Sequence, residues 1–575
     1  MKNSTIKALA VIVSGSVIFT ACNGLGKMVK NAPKITYEVT PKVLEMHGDS
    51  VKIQVSGKYP AKYFAKKAVL TITPVIKYNG GEKKLNTITA VGEGSGGNGT
   101  IIATATGGSF LKSDITAYTP EMKDCELVIR CSGTMKSKTK DFPEMKVAVG
   151  TIVTPLLLKN DEKALMGKDA FTKIQPVSTG GNIFYVVNQS TVRPTEMSSA
   201  DMKAMKDFIA KGVAMGYTFK NMSVSAYASP DGEQSLNANL AGDRAKSATK
   251  AMMGVFGDKK TMVGAGKQES FYSTVTTAED WEGFKKLMEA SSIADKDLIL
   301  RVLTMYSDLD VREKEIKNLA KTYVEVSDKI LPKLRRSVLT LNAEKNSRTD
   351  EQLSKLSTST PDSLSAEEIL YAATLTTDMN TKLNIYKAAE RMYPADWRGI
   401  NNVGYVYLMQ NKINEAQAQF DKANKVAPNN SAVTNNMGIV ARWKGDRKAA
   451  EDYYKLAGSS PEVNYNMGIL DIMKGHYSDA VVNFGSTNSF NAALAKVLSG
   501  SPSEGLPILD NSNDKDAAVS FYLKAIIGAR TSNKDLMINN LKSAINKDAS
   551  FKAMAKDDKE FVKYKDDADF KALAN

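Results

Sequence analysis

From residue 34 to residue 157 apolar and polar side chains alternate with period two. Val51, Ile53 and Val55 take every second place in SVKIQVSG, and the runs AVLTITPVIKY, GTIIATAT, CELVIRC and MKVAVGTIVT repeat the pattern. Turn clusters such as NGGE and GEGSGGNG separate these runs, which predicts an antiparallel β-sandwich over 34–157. The alternation stops over 158–180, which reads as a linker. Between 181 and 345 the pattern becomes strand, helix, strand, helix: IFYVVNQSTVRP, then SADMKAMKDFIAKGV with Ser199 as N-cap, then MSVSAYAS, then a helix burying Ala241, Ala245, Ala248 and Met252. That order predicts an α/β domain with at least one parallel strand pair and a right-handed crossover. Residues 256–333 carry helical periodicity and read as an insertion before the strand LRRSVLTL, and 346–364 reads as a second linker. From 365 to 575 the chain predicts an all-α repeat region, so the fold class is multi-domain: β-sandwich, α/β domain, helical solenoid.

The repeat has a fixed period. Gly404, Tyr407, Ala416, Phe420, Ala423 and Pro428 are followed thirty-four residues later by Gly438, Ala450, Tyr454 and Ala457, and preceded at the same interval by Tyr386, Ala389 and Pro394. A shorter unit places Gly468, Ala480 and Phe484, and a looser one Leu541 and Ala544. This set resembles the tetratricopeptide repeat at its defining positions. The resemblance implies stacked helix pairs, with small residues where two helices cross and an aromatic filling the gap, around a concave groove that takes a peptide or helix of a protein partner. Asn401, Asn402, Asn435 and Asn436 are the candidate groove contacts, since a primary amide can hydrogen-bond an extended backbone; helix capping is the alternative for them.

Within the α/β domain, AYASPDG followed by NANLAGDRA is similar to the peptidoglycan-binding domain found at the C-terminus of OmpA, with Asn237, Leu240, Ala241, Arg244 and Ala245 in register with its second motif. The resemblance implies a site for a diamino acid of the peptidoglycan stem peptide, an acidic residue holding the ammonium and Arg244 the carboxylate, with Asn237 on the same face. A guanidinium grips a carboxylate with two parallel bonds, which Lys cannot. The family spacing places the acid at Ser229, and Asp231 stands two residues later in the Pro-Asp-Gly turn. Two roles stay open for Asp231: the ligand acid, or a turn residue. Arg335 and Arg336, at the start of the closing strand, are candidates for the rim.

The amino terminus changes the compartment. Lys2 and Lys7 precede an apolar run over 8–19, and FTAC resembles the lipobox of bacterial lipoproteins, with Phe19 where that family usually has Leu. The resemblance implies removal of 1–21, acylation of Cys22 and a tether over 22–33, anchoring the protein stably to a lipid bilayer. An outer-membrane lipoprotein facing the periplasm is expected, with the cell surface as the alternative. The net charge of +14, from 77 Lys and Arg against 63 Asp and Glu, is spread along the chain. No clustered-Arg helix or aromatic platform suggests a nucleic-acid partner. Cys125 and Cys131 fall on one face of a predicted strand, about 20 Å apart, too far to bridge and alternating with Leu127 and Ile129, as buried thiols would. The two histidines, His47 and His476, stand far apart in sequence. No metal, cofactor or catalytic residue is proposed, and the sequence reads as a non-enzymatic adaptor. Its rival is an assembly scaffold whose OmpA-like domain has lost its ligand and docks proteins only.

Overall fold

The computed structural model of the chain describes residues 23–574; the expected signal segment over 1–21 and Cys22 lie outside the described residues. The chain divides into two compact units, one made of the residues up to Gly167 with Tyr393–Asn575, the other of Lys168–Met392. No helix among the described residues is long and apolar enough to cross a membrane.

The β region of the first unit is one continuous eleven-stranded sheet. Ser50–Tyr59 pairs along its length with Gly108–Ala117, and Val69–Tyr78 with Cys125–Met135, both antiparallel. Val43–His47 joins the two layers, antiparallel to Ser50–Tyr59 on one edge and parallel to Met145–Ile152 on the other. Val51, Ile53 and Val55 from one layer meet Leu70, Ile72, Leu127 and Ile129 from the other in a common core. The predicted antiparallel sandwich is thus corrected to a sheet folded over on itself, with parallel pairings at Val43–His47 and between Ile88–Gly92 and Thr100–Ile102. Alternation marks which face of a strand is buried but says nothing about which strand each edge will meet. Cys125 and Cys131 are buried and free, and burial pushes the Cys131 thiol up to about 12.

The helical part of the same unit is built from hairpins. Trp397–Met409 packs with Ile413–Val426, Ser431–Trp443 with Arg447–Ala457, and Pro461–Lys474 with Tyr477–Phe484. Each hairpin closes on a glycine. A Cβ at Gly404 would lie 2.6 Å from the Phe420 ring, at Gly438 2.5 Å from Tyr454, and at Gly468 2.9 Å from Phe484. No real Cβ sits that close, so the aromatic of the second helix occupies the space a side chain on the first would need. The arrangement is consistent with a tetratricopeptide-type solenoid. The sheet is fastened to it: Arg530 reaches Glu45 at 2.6 Å and Glu560 at 2.6 Å, and the Tyr477 hydroxyl lies 3.3 Å from both Gly48 N and Met46 O.

In the second unit four strands lie in the order Ile174–Phe184, Arg336–Asn346, Thr218–Tyr227, Tyr272–Thr277. The last two are parallel and the other pairings antiparallel. Ala200–Ala214, capped by the Ser199 side chain, and Gln234–Gly257 pack on this sheet through Met202, Met205, Ile209, Ala245, Ala248 and Met252. Three expectations are corrected. Residues 174–180, read as linker, are strand, paired along all of Ile174–Phe184 with Arg336–Asn346. Tyr272–Thr277 is a strand inside the stretch read as a wholly helical insertion; it is an edge strand with mostly exposed residues, so it carries no apolar alternation. Within the second expected linker, Asp350–Ser359 is a helix fixed by a capping box between Thr349 and Gln352. The remaining helices of the insertion, from Trp281–Glu289 to Leu331–Leu334, share a separate core around Phe284, Met288, Ile299 and Leu334.

Two outcomes are expected. Gly438→Leu drives a side chain into the Tyr454 ring and should lower the stability of the helical region by about 1–3 kcal/mol, read as a lower denaturant midpoint of the helical circular-dichroism signal. Glu451 lies 2.6 Å from Lys455 on its own helix and 2.7 Å from Lys474 on the next. Their hydrogen bonds hold its carboxyl near 2 instead of its ordinary 4.5. A depressed folded pKa contributes stability that is complete above about pH 4.5 and lost as the pH falls toward 2. Glu451→Gln should flatten acid unfolding across that window, and an unchanged acid slope would contradict the assignment.

Candidate functional site: a charged turn and a filled groove

The Pro-Asp-Gly turn is held from three sides. The Asp231 N–H donates to Ser229 O at 2.9 Å, and the Asn237 amide donates to Ser229 O at 3.2 Å and Gly232 O at 2.9 Å, tying the turn to the helix behind it. The Ser229 hydroxyl donates to Asp231 Oδ1. Arg335, delivered by the residue just before the Arg336–Asn346 strand, places Nη2 3.0 Å from Asp231 Oδ2 and Nε 3.1 Å from Ser229 Oγ. The carboxylate of the turn therefore already has a cationic partner.

Arg244 is fully buried. Its guanidinium donates to the carbonyls of Tyr227 at 2.8 Å, Gln189 at 3.1 Å and Val186 at 3.5 Å, and lies 5.2 Å from the centre of the Tyr185 ring. Burial lowers its pKa to about 10, with Tyr185 and Asp231 opposing the shift and Arg335 adding to it. Among the described residues its surroundings supply carbonyl dipoles and no contacting carboxylate, so the fork that sequence assigns to an outside carboxylate binds the chain's own backbone. Arg336 goes elsewhere. It pairs with Asp280 at 2.9 Å and lies over the Tyr227 ring at 4.7 Å, while Asp280 also caps Trp281–Glu289 by accepting from Gly283 N at 2.8 Å. Of the sequence candidates, Ser229, Asp231, Asn237 and Arg335 meet at one turn, Arg244 sits beneath it, and Arg336 anchors the helical insertion.

The groove candidates meet an occupant that the sequence did not suggest. Residues 159–167, inside the expected linker, run extended along the first helices of the repeats. Asn402 accepts from Gly167 N at 2.7 Å and donates to Gly167 O at 2.9 Å; Asn436 does the same to Leu165 at 2.8 and 2.7 Å. Asn466 clamps Lys163 at 2.7 and 3.0 Å, and Asn491 clamps Lys159 at 2.9 and 2.9 Å. Asn401 and Asn435 add second donors to Leu165 O at 3.0 Å and Lys163 O at 2.9 Å. Because alternate residues of an extended chain turn the same edge outward, one row of amides reads 163, 165 and 167 in turn. The capping alternative for Asn401, Asn402, Asn435 and Asn436 is set aside: all four lie inside their helices and are buried. Sequence could have pointed to Asn466 as well, since Asn402, Asn436 and Asn466 each stand two residues before the crossing glycine. Nothing local announced the occupant.

Neither a protein-family model nor a curated protein matches the chain. Among solved structures it is similar to a tetratricopeptide repeat protein from Parabacteroides merdae, at 13% identity and a TM-score of 0.28 over 39% of this chain and 91% of the other. It is also similar to YrrB, described as a TPR protein with an unusual peptide-binding site, at 18% identity and a TM-score of 0.21 over 35% and 94%. Yeast Tom70 matches at 12% identity and a TM-score of 0.27 over 66% and 89%. The helical-repeat fold is carried by the packing of the hairpins themselves.

Arg244→Ala removes the donor from three carbonyls beneath the turn and should destabilise the second unit by about 3 kcal/mol or more. Arg244→Lys should restore little of this, because one ammonium cannot span the fork. Denaturant unfolding checks both, and a neutral Arg244→Ala would show that the guanidinium has no structural role.

Proposed function

We propose that the chain is a non-catalytic scaffold of a bacterial cell envelope, held to the outer membrane through acylated Cys22 on the periplasmic side, that docks proteins. The domain between Ile174 and Asn346 resembles the OmpA-like type in its motif. The observation that carries the scaffold reading over wall binding is the state of the two charges: Asp231 is paired with Arg335 at 3.0 Å, and Arg244 is buried against three carbonyls. A zwitterionic stem peptide needs a carboxylate and a guanidinium that are both available, and here each already has a partner within the chain. The helical hairpins support a protein-interaction role in the coarse sense, since stacked repeats present extended surfaces for partners.

One observation favours the second reading, binding of peptidoglycan. The Asp231–Arg335 pair is partly buried but not sealed, with side chains 17% and 11% exposed. Removing one partner alone would be unfavourable, but an incoming ammonium at Asp231 together with a carboxylate at Arg335 would leave both charges paired.

Co-sedimentation with purified sacculi separates the readings. The scaffold reading expects the full chain to stay in the supernatant, as do Asp231→Asn and Arg335→Gln. Sedimentation of the wild type that Asp231→Asn abolishes, with the fold intact by circular dichroism, would instead establish peptidoglycan binding. Arg244 is unsuitable for this test, because its loss undermines the fold.

A further inference from the structure

The filled groove makes two kinds of contact, and they read different things. The clamps from Asn402, Asn436 and Asn466 touch only the segment's backbone and accept any extended chain, while Asn491 clamps Lys159 and also donates to Asp161 Oδ1 at 2.8 Å. The side-chain contacts are selective. Glu162, its side chain 1% exposed, forms an ion pair with Arg442, itself 7% exposed, and accepts from Trp443 Nε1 at 3.1 Å. Asp161 accepts from the Tyr465 hydroxyl at 2.8 Å, and Arg442 also donates to Asn160 Oδ1 at 2.9 Å. Burial raises the Glu162 carboxyl and lowers the Arg442 guanidinium, and each partner opposes the shift of the other. A buried guanidinium left without its carboxylate is strongly unfavourable, so this socket requires an acidic side chain at that position of the bound segment.

We propose that the inner groove of the repeats is a selective site for an extended peptide carrying an Asn-Asp-Glu motif, and that its resident ligand is the chain's own segment 159–167, with Asn160, Asp161 and Glu162 as the recognised residues. A tethered segment competes at an effective concentration on the order of millimolar. An outside peptide of the same chemistry is therefore excluded while the segment is seated, and a protein partner of the repeats docks on another face. This inference stands apart from the envelope assignment and from the fate of the charged turn.

The test uses the full chain and a fluorescent peptide, LKNDEKALMGKDAF, copied from residues 158–171. Wild type is expected to show no saturable binding. A variant with 158–167 replaced by a Gly/Ser stretch of equal length is expected to bind it. Affinity should fall by about tenfold or more when the peptide carries Glu162→Gln, or when the variant also carries Asn436→Ala. Absence of binding to a variant that keeps its helical signal, or equal binding to wild type, would overturn the proposal. Hydrogen exchange on the unaltered chain is a second check that needs no folded variant. The amides of Lys163, Leu165 and Gly167 should exchange about a hundredfold or more slower than in the free peptide, and exchange at the free-peptide rate would refute a seated segment.

Discussion

A primary amide offers one donor and one acceptor side by side, which is what the N–H and C=O of a single extended residue require. Asn402, Asn436, Asn466 and Asn491 apply this match to Gly167, Leu165, Lys163 and Lys159. Much in the first unit follows from it. An extended segment without a neighbouring strand leaves its backbone groups in need of partners once it is buried, and each left unmet costs about 1–3 kcal/mol. The amide row meets that need, so a stretch with no regular structure of its own lies inside a helical groove. The amides also brace one another, Asn436 to Asn401 at 3.0 Å and Asn466 to Asn435 at 2.9 Å. Rotating one would leave its neighbour's oxygen without a donor.

The same unit is assembled from two stretches of chain separated by Lys168–Met392. Besides the clamped segment, the sheet and the repeats are joined by Arg530, which bridges Glu45 and the buried Glu560, and by Tyr477 against the turn at Gly48. That turn is close enough that a Cβ at Gly48, which has a φ of +55°, would lie 2.8 Å from the Lys474 carbonyl. Backbone approach of this kind needs glycine on conformational and steric grounds together. The charged turn of the second unit follows a related logic with opposite emphasis: Ser229, Asp231, Asn237, Arg244 and Arg335 satisfy one another and the nearby carbonyls. Donors and acceptors that a ligand could have met are met from within.

Local pattern determined a good deal. The period-two runs fixed which residues of Ser50–Tyr59 and Cys125–Met135 face the core, the Ser199 cap opened the Ala200–Ala214 helix, and the small and aromatic positions at Gly404, Phe420, Gly438 and Tyr454 marked where hairpins close. These features depend on residues within a turn or two, or on a short repeat, and such spacing is visible along a line. Arg244 and Asp231 were legible as noteworthy through the motif they resemble, and the groove asparagines Asn402 and Asn436 because they recur two residues before the crossing glycines. Tertiary structure alone decided their partners. Arg335 stands about a hundred positions from Asp231, Gly167 more than two hundred from Asn402, and Tyr272–Thr277 pairs with a strand that no alternation of its own could reveal. An ion pair or hydrogen bond is satisfied by whichever complementary group the fold brings within about 3 Å, and sequence separation carries no trace of that distance.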